Sequence, residues 1–311
     1  LFSCAIIKAV DGYQDLLRVS VASAGNDHRL GANEAPVAII SVFLGDQLTE
    51  ILTAFETGIK YGTPKKPNIE IGVSTIPKFP KDTTDRNRTS PFAFTNNKFE
   101  FRMVGSNLSI ACPNIMLNTI VAEELCQFAD ILEKSENFNK DVYNIISSTI
   151  KNHKRIIFNG NSYCEEWKKE AKRRGLSNLK SFSDAIPYLI DEKNIQLLLK
   201  HKVYSKNEIT SRYNILLENY CRVINIEAKT MISIAQKQIF PAVLRYINIL
   251  GESIIIKKEA VKNINCFAEE DILTKISALN NTLYSQINKL KALLSKINNQ
   301  KEDLESAKFY Q

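Results

Sequence analysis

The sequence feature that most constrains the fold is the alternation of charged and aromatic residues from Lys98 to Arg102. Successive side chains of a β-strand point to opposite faces, so the pattern predicts a strand with Lys98, Glu100 and Arg102 on one face. Phe99 and Phe101 then share the other, buried face. A carboxylate between two cations suits a site for a divalent ion and phosphate. The same pattern is also typical of a salt-bridge ladder on a solvated face.

Hydrophobic periodicity and turn residues predict most of the remaining elements. In chain order, these are a helix at 1–17, a glycine-marked loop at 22–36, a helix at 36–58, and strands at 92–94 and 98–103. The stretch 109–133 is expected to begin as a loop at Pro113 and to become a helix, and further helices are predicted at 138–151, 206–252 and 268–309. Pro241 is expected to kink or divide the helix at 206–252. The helix at 268–309 has apolar steps typical of a coiled-coil seam or of the last helix in a bundle.

This order of elements predicts an α+β chain with two parts. The mixed part, residues 1–132, holds antiparallel strands with helices and contains every chemical motif. The second part, residues 133–311, is predicted to be almost entirely helical. A length of 311 residues agrees with about two domains.

Composition and charge exclude several classes of protein. The formal charge is +7, but the basic runs carry no interleaved aromatic residues and no nucleic-acid-binding module is visible, so no nucleic-acid partner is predicted. The six cysteines are scattered without a Cys-x-x-Cys pair, which argues against a zinc site and predicts a reducing, cytoplasmic location. No apolar run reaches the roughly 18 residues of a membrane span. The chain begins with Leu1 inside a helical pattern, so an N-terminal part is expected to be missing.

Several longer motifs occur in one order along the chain. They are GNDHRLGANEAP at 25–36, NRTS at 87–90, KFEFR at 98–102, NTIVAEEL at 118–125, HKRIIFNGN at 153–161 and ENYC at 218–221. Together they resemble the glutamine synthetases, and specifically the large type III enzymes. The resemblance covers the chain to about Leu250, and several long motifs in the right order make a specific signal.

The resemblance implies an ATP-dependent ligase that joins ammonia to L-glutamate through a γ-glutamyl phosphate intermediate. ATP and Mg²⁺ or Mn²⁺ are the implied cofactors, and a ring-shaped homo-oligomer, a dodecamer, is the implied assembly. Residues 1–132 would then be the C-terminal part of the catalytic domain, and 133–311 the helical domain of the type III enzymes. The chain by itself is expected to be inactive.

The resemblance also implies roles for three residues of the charged strand. Glu100 matches the metal-binding glutamate of the family. Arg102 matches the arginine that contacts the substrate glutamate. Lys98 stands where many members have an arginine near the nucleotide, so it keeps the charge but not the planar fork of donors.

Three further residues match family positions outside that strand. Arg88 matches the catalytic arginine that stabilises the transferring phosphate, and Glu34 matches the catalytic glutamate of the flap that closes over the site. Arg29 matches the arginine that binds glutamate, with a spacing to Glu34 that differs by one residue. Without the resemblance, Glu34 would be interpreted as a charge stabilised at the start of the helix at 36–58.

A different class of function stays open beside the enzyme. The chain could be a non-catalytic remnant that acts as an oligomerisation or binding module. Coding sequence upstream of Leu1 that carries the further carboxylates would favour the enzyme, and a stop codon would favour the remnant. A nucleic-acid-binding helical protein, the third alternative, would lose binding steeply with added salt.

Overall fold

The computed structural model describes residues 1–32, 34–59, 62, 68–69, 79–80, 89–95, 97–297 and 303–311. The chain forms two compact units, Leu1–Asn214 and Ile215–Gln311. Most described residues are helical, and the first unit also holds a three-stranded sheet, which confirms the coarse expectation of helices with a small β component. The functional division at residue 132 stays a prediction, since the compact units divide elsewhere.

The first unit begins with two helices that form the centre of its core. Helix α1 (Phe2–Gly12) and helix α2 (Gln14–Val19) replace the single helix predicted for residues 1–17, because the backbone at Tyr13 leaves the helical region. α1 packs against helix α5 (Ala111–Leu132) and helix α6 (Phe138–His153). Its buried side chains include Ile7 and Val10, neither of which is exposed.

A short helix interrupts the predicted loop at 22–36. Helix α3 covers Ala24–Arg29, and the Ser23 side chain caps it by accepting a hydrogen bond from the Asn26 backbone N–H at 3.2 Å. Serine at this position satisfies a backbone donor that has no partner within the helix, so it favours helix initiation despite the neighbouring glycine.

The helix predicted from Pro36 is wrong over residues 36–45. Residues 35–45 are buried and include strand β1 (Val42–Phe43), and helix α4 covers only Asp46–Thr57. A continuous apolar run carries neither the helical nor the alternating period, so its sequence does not separate a helix from a buried strand. Pairing with a parallel neighbour, strand β4 (Phe92–Thr95), selects the strand.

The sheet has the strand order β1-β4-β5, with strand β5 at Lys98–Phe101. β1 runs parallel to β4, and β4 runs antiparallel to β5 with Phe92 opposite Phe101 and Thr95 opposite Lys98. Between α4 and β4 in the sequence, the structure describes two short strands, β2 (Asn68–Ile69) and β3 (Phe79–Pro80), which form a separate antiparallel pair.

The rest of the first unit is helical, as predicted, with short connections. After α6, a 3₁₀ turn at Lys154–Ile156 leads to a bridge between Ile157 and Val42 of β1. The elements that follow are helix α7 (Glu165–Arg173), helix α8 (Phe182–Ala185), a 3₁₀ turn (Ile186–Ile190), helix α9 (Glu192–Lys200) and the start of helix α10 (Lys206–Ile234).

The second unit contains the rest of α10 and three further helices. A π-helical turn at Ala235–Ile239 joins α10 to helix α11 (Phe240–Ala260), and α11 packs against helix α12 (Phe267–Ile297). Helix α13 covers Leu304–Phe309. Pro241 lies in the first turn of α11, directly after the π turn, so the regular α-helix is interrupted where predicted, while helical backbone continues from Lys206 to Ala260. The wider π turn accommodates a residue that has no N–H to donate.

One long helical stretch, which begins in the first unit and ends in the second, differs from the expectation about membrane spans. The continuous run Lys206–Ala260 contains an 18-residue window with a mean hydropathy of 1.5, of which only 11% is buried. By length and composition alone, this helix is therefore apolar enough to cross a membrane. The expectation that no segment reaches that threshold was wrong, although this criterion by itself is weak evidence for a span.

Candidate functional site

The side chains of the β4–β5 hairpin lie on two opposite faces, as the alternation predicts. Phe92 on β4 lies against Phe99 and Phe101 of β5, with ring centroids 5.7 and 5.9 Å apart. Lys98, Glu100 and Arg102 lie together on the opposite face, where both cations contact the carboxylate. The predicted strand and its two faces are confirmed.

The Glu100 carboxylate is the centre of this charged face. Its Oε1 accepts from Thr95 Oγ1 and contacts Lys98 Nζ, both at 3.0 Å. Its Oε2 accepts from Arg102 Nε at 3.1 Å and from Arg102 Nη2 at 2.9 Å. Hydrogen bonds from Lys98 and then Arg102 lower the pKa of Glu100 from 4.5 to about 2. The group is therefore a carboxylate at any physiological pH.

The two cations that flank Glu100 differ in their surroundings. The Lys98 side chain is 66% exposed, whereas Arg102 is only 13% exposed and directs its planar fork at Glu100. An ion pair with a solvated lysine is weak, so the contact that the largely buried Arg102 makes through two donors is the stronger of the two. The structure therefore contains a salt-bridge cluster, which the alternating pattern also allowed. In addition, the contact with Glu100 holds the Arg102 guanidinium in place at the end of β5.

The described residues by themselves do not fit a divalent metal ion. No group of three or more His, Cys, Asp or Glu side chains with ligand geometry occurs in the described ranges. Mg²⁺ takes near-octahedral oxygen coordination, which one carboxylate does not supply. All six cysteines are free.

Arg29 lies at the end of α3 and is tied to the chain just beyond β5. Its Nη2 donates to the Met103 carbonyl at 2.8 Å, and its Nε donates to Asn26 Oδ1 at 3.0 Å. Met103 directly follows Arg102, so the structure brings the loop with Arg29 to the end of the charged strand. Asn26, which the sequence interpretation did not single out, joins the same group by donating to Met103 O at 2.9 Å.

Glu34 lies on an exposed loop that closes on itself. The Gly31 N–H donates to the Ala35 and Pro36 carbonyls at 3.2 and 3.0 Å, and Tyr163 Oη donates to the Glu34 carbonyl at 3.3 Å. Since α4 begins only at Asp46, the interpretation of Glu34 as a charge at a helix start is wrong. Within the described ranges, no hydrogen bond or ion pair joins the Glu34 carboxylate to the β5 cluster.

The structure therefore brings some of the predicted site residues close together and not others. The structure brings Arg29, Glu100 and Arg102 to one end of the β4–β5 hairpin, with Lys98 at its exposed edge. Arg88 lies outside the described residues. Asn26 and Tyr163 were missed, since an asparagine beside a glycine is typical of a turn, and a lone tyrosine 129 residues from Glu34 gives no local signal.

Comparison with known proteins gives one family. Residues 141–258 match the family model described as the glutamine synthetase C-terminal domain. The chain is 40% identical to a glutamine synthetase of Butyrivibrio fibrisolvens over 316 aligned residues, covering 100% of this chain and 44% of the relative. A type-3 glutamine synthetase of Dictyostelium discoideum is 44% identical, covering 82% of this chain and 35% of that relative. A glutamine synthetase of Bacteroides fragilis is 38% identical, covering 87% of this chain and 37% of that relative.

Proposed function

The chain belongs to the glutamine synthetase family, and from that premise we propose that it supplies part of the active site of an ATP-dependent ligase that joins ammonia to L-glutamate. It spans about two-fifths of the length of the curated relatives it matches. The rest of the site would come from residues outside this chain. Phosphorylation of the glutamate γ-carboxylate to γ-glutamyl phosphate, followed by displacement of phosphate by ammonia, is the proposed reaction.

One observation carries the proposal: Arg29 is hydrogen-bonded to the backbone directly after Arg102, although 73 residues separate the two arginines. Arg29 Nη2 donates to the carbonyl of Met103, the residue next to Arg102. Two arginines on neighbouring segments suit a positive site for a dicarboxylic amino acid. We assign binding of the substrate glutamate to both, with Arg102 at the end of the substrate that accepts the phosphoryl group.

Glu34 is proposed to act as the base in the second half of the reaction. Its carboxylate is exposed on a loop that is closed by the Gly31 hydrogen bonds. Transfer of a proton from bound ammonium to this carboxylate would generate the nucleophilic ammonia. Removal of the charge should therefore affect amide formation more than phosphorylation.

The phosphoryl-transfer roles rest on the family resemblance. Arg88 is proposed to stabilise the transferring phosphate, and Lys98 is proposed to lie near the nucleotide. ATP and Mg²⁺ or Mn²⁺ are the proposed cofactors, with Glu100 as one metal ligand. The described residues provide no complete ion site, and the proposed roles of Arg29, Arg102 and Glu34 do not depend on one. A ring-shaped homo-oligomer, a dodecamer, and a cytoplasmic location complete the proposal; no nucleic-acid or membrane partner is proposed.

A chimera with the Butyrivibrio relative tests the proposal. The chain would replace the matching C-terminal part of that protein, and glutamine formation from glutamate, ammonia and ATP would be measured. We expect an active chimera, loss of activity in Arg102→Ala, and little change in the exposed control Arg173→Ala. A chimera that folds and assembles but forms no glutamine would favour a non-catalytic binding module. The observation that favours this alternative is a set of exposed apolar residues in the second unit: Ile226, Met231 and Leu279.

The two half-reactions separate a catalytic from a structural role of Glu34. In the chimera, Glu34→Gln should keep glutamate-dependent phosphoryl transfer and lose amide formation, because the amide keeps the shape but cannot take a proton. Equal loss of both half-reactions would show that Glu34 is structural. The 311-residue chain alone is expected to be inactive, and γ-glutamyl transfer by that chain would contradict the proposed division of the site.

A further inference from the structure

Both polar atoms of the buried Asn26 side chain are hydrogen-bonded, and their partners lie in two segments that are distant in the sequence. The residue is 1% exposed. Its Nδ2 donates to the Val21 carbonyl at 2.6 Å and to the Met103 carbonyl at 2.9 Å, while its Oδ1 accepts from Arg29 Nε at 3.0 Å. The partners also determine the orientation of the amide, since two carbonyls require a donor and a guanidinium requires an acceptor. Aspartate would satisfy only the guanidinium.

These contacts determine which edge of the Arg29 guanidinium is used by the protein. Nε and Nη2 form one parallel pair of donors, and both are taken, by Asn26 Oδ1 and the Met103 carbonyl. The end of the group, with the Nη1 hydrogens and the second Nη2 hydrogen, has no partner among the described residues. That end is a two-donor fork that matches a carboxylate.

The surroundings of Asn26 are tight as well as polar. A Cβ atom built on Gly105 would lie 3.2 Å from Asn26 Oδ1, closer than most real contacts. The segment that follows β5 therefore packs directly on the amide. A buried asparagine held on two sides has little freedom, and it restricts the arginine that it binds.

We propose that Asn26 is a positioning residue for the amino-acid substrate: it holds the Arg29 guanidinium by one edge so that the other edge receives a substrate carboxylate. This inference rests on the proposed glutamate-binding role of Arg29. Asn26 does not touch the substrate; it acts by reducing the side-chain freedom that Arg29 would otherwise lose on binding.

The test measures the L-glutamate KM and the kcat of the chimera with the Butyrivibrio relative, in which the proposed site is complete. Asn26→Ala removes the acceptor for Arg29 and both donors, whereas Asn26→Asp keeps the acceptor and loses the donors. Asn194→Ala is the matched control, because Asn194 is also fully buried and donates to the Tyr188 carbonyl at 2.8 Å, away from Arg29.

Positioning predicts a specific order of glutamate affinities. Asn26→Ala should raise the glutamate KM of the chimera about three- to tenfold, the cost of ordering one long side chain, with a smaller change in kcat. Asn26→Asp should stay near the wild-type affinity even though it loses stability. A purely structural role predicts the opposite order, since a carboxylate facing two carbonyls is the worse replacement.

The outcomes separate this inference from the proposed function. An Arg29→Ala chimera that keeps the wild-type glutamate KM overturns the substrate role of Arg29, and this inference with it. If Asn26→Ala raises the glutamate KM no more than Asn194→Ala does, the inference alone is overturned. If the aspartate variant does not fold, Gly105→Ala replaces it: displacement of the amide by the new methyl group should weaken glutamate binding in the same direction, and unchanged binding contradicts the inference.

Discussion

Arg18→Met is expected to destabilise the first unit strongly, because Arg18 is a buried cation that holds α3 in place. The side chain is 1% exposed. Its Nε donates to the Leu179 carbonyl at 2.8 Å, and its Nη2 donates to the Lys180 carbonyl at 3.2 Å and contacts Asp27 Oδ1 at 3.5 Å. Burial lowers the pKa of Arg18, while the Asp27 carboxylate opposes that change.

The magnitude follows from what the substitution leaves behind. Methionine fills a similar volume, but the Leu179 and Lys180 carbonyls lose a charged donor and Asp27 loses its cation. Removal of one partner from a buried ion pair costs about 3–5 kcal/mol. Nη1 of Arg18 is buried without a partner among the described residues, so its removal also relieves a desolvation cost. We therefore expect Arg18→Met to lower the free energy of unfolding by about 3 kcal/mol.

Urea unfolding at neutral pH, followed by circular dichroism, measures this loss of unfolding free energy. In a thermal scan it should lower the Tm of the first unit by roughly 10 °C, given the size of the unit. Arg173→Met is the matched control, because Arg173 pairs with Glu170 on an exposed face of α7, and it should cause no measurable change. A loss for Arg18→Met below about 1 kcal/mol would refute the buried-pair reasoning.

Three further predictions concern the hairpin, one loop and the π turn. The Glu100 pKa of about 2 lies below the ordinary 4.5, so Glu100 stabilises the fold above pH 4.5 and loses this effect as the pH falls towards 2. Glu100→Gln should cost about 1 kcal/mol near neutral pH, a value reduced for partial exposure, and a urea-unfolding difference that does not shrink in acid would contradict this. Gly31→Ala should cost about 1 kcal/mol in thermal unfolding because φ is +81°, whereas Gly251→Ala inside α11 should stabilise by a similar amount; equal effects would exclude the backbone explanation. Pro241→Ala should raise the stability of the second unit by up to about 3 kcal/mol and increase its helical circular dichroism, and a loss of stability would show that the π turn is needed for packing.

Local chemistry was sufficient to predict several elements from the sequence. The alternation from Lys98 to Arg102 places side chains on two faces through the geometry of any extended strand. Helix α6 lies within two residues of its predicted ends, and α5 ends within one residue of its predicted end. The start of α5 at Ala111 differs from the loop expected at Pro113, because proline is tolerated in the first turn of a helix. Pro241 divides its helix because its ring removes a donor, whatever it packs against.

Other elements depended on distant partners. The apolar run before Asp46 becomes β1 because Phe92, fifty residues later, pairs with Val42. A helix and a strand would bury that run equally well, so no local signal decides between them. The predicted helix start was wrong for this reason, and the helix-start interpretation of Glu34 was wrong with it.

The sequence by itself determined which residue types are available for chemistry, and the tertiary structure decided which of them meet. Arg29, Glu100 and Arg102 were identified from motifs, since charge and spacing are properties of the chain. Asn26 was not identified, because its partner Met103 lies 77 residues away. A buried amide can position another side chain only when the fold brings two segments around it. Hydrogen bonds form between neighbours in space, and for this residue the neighbours come from the fold.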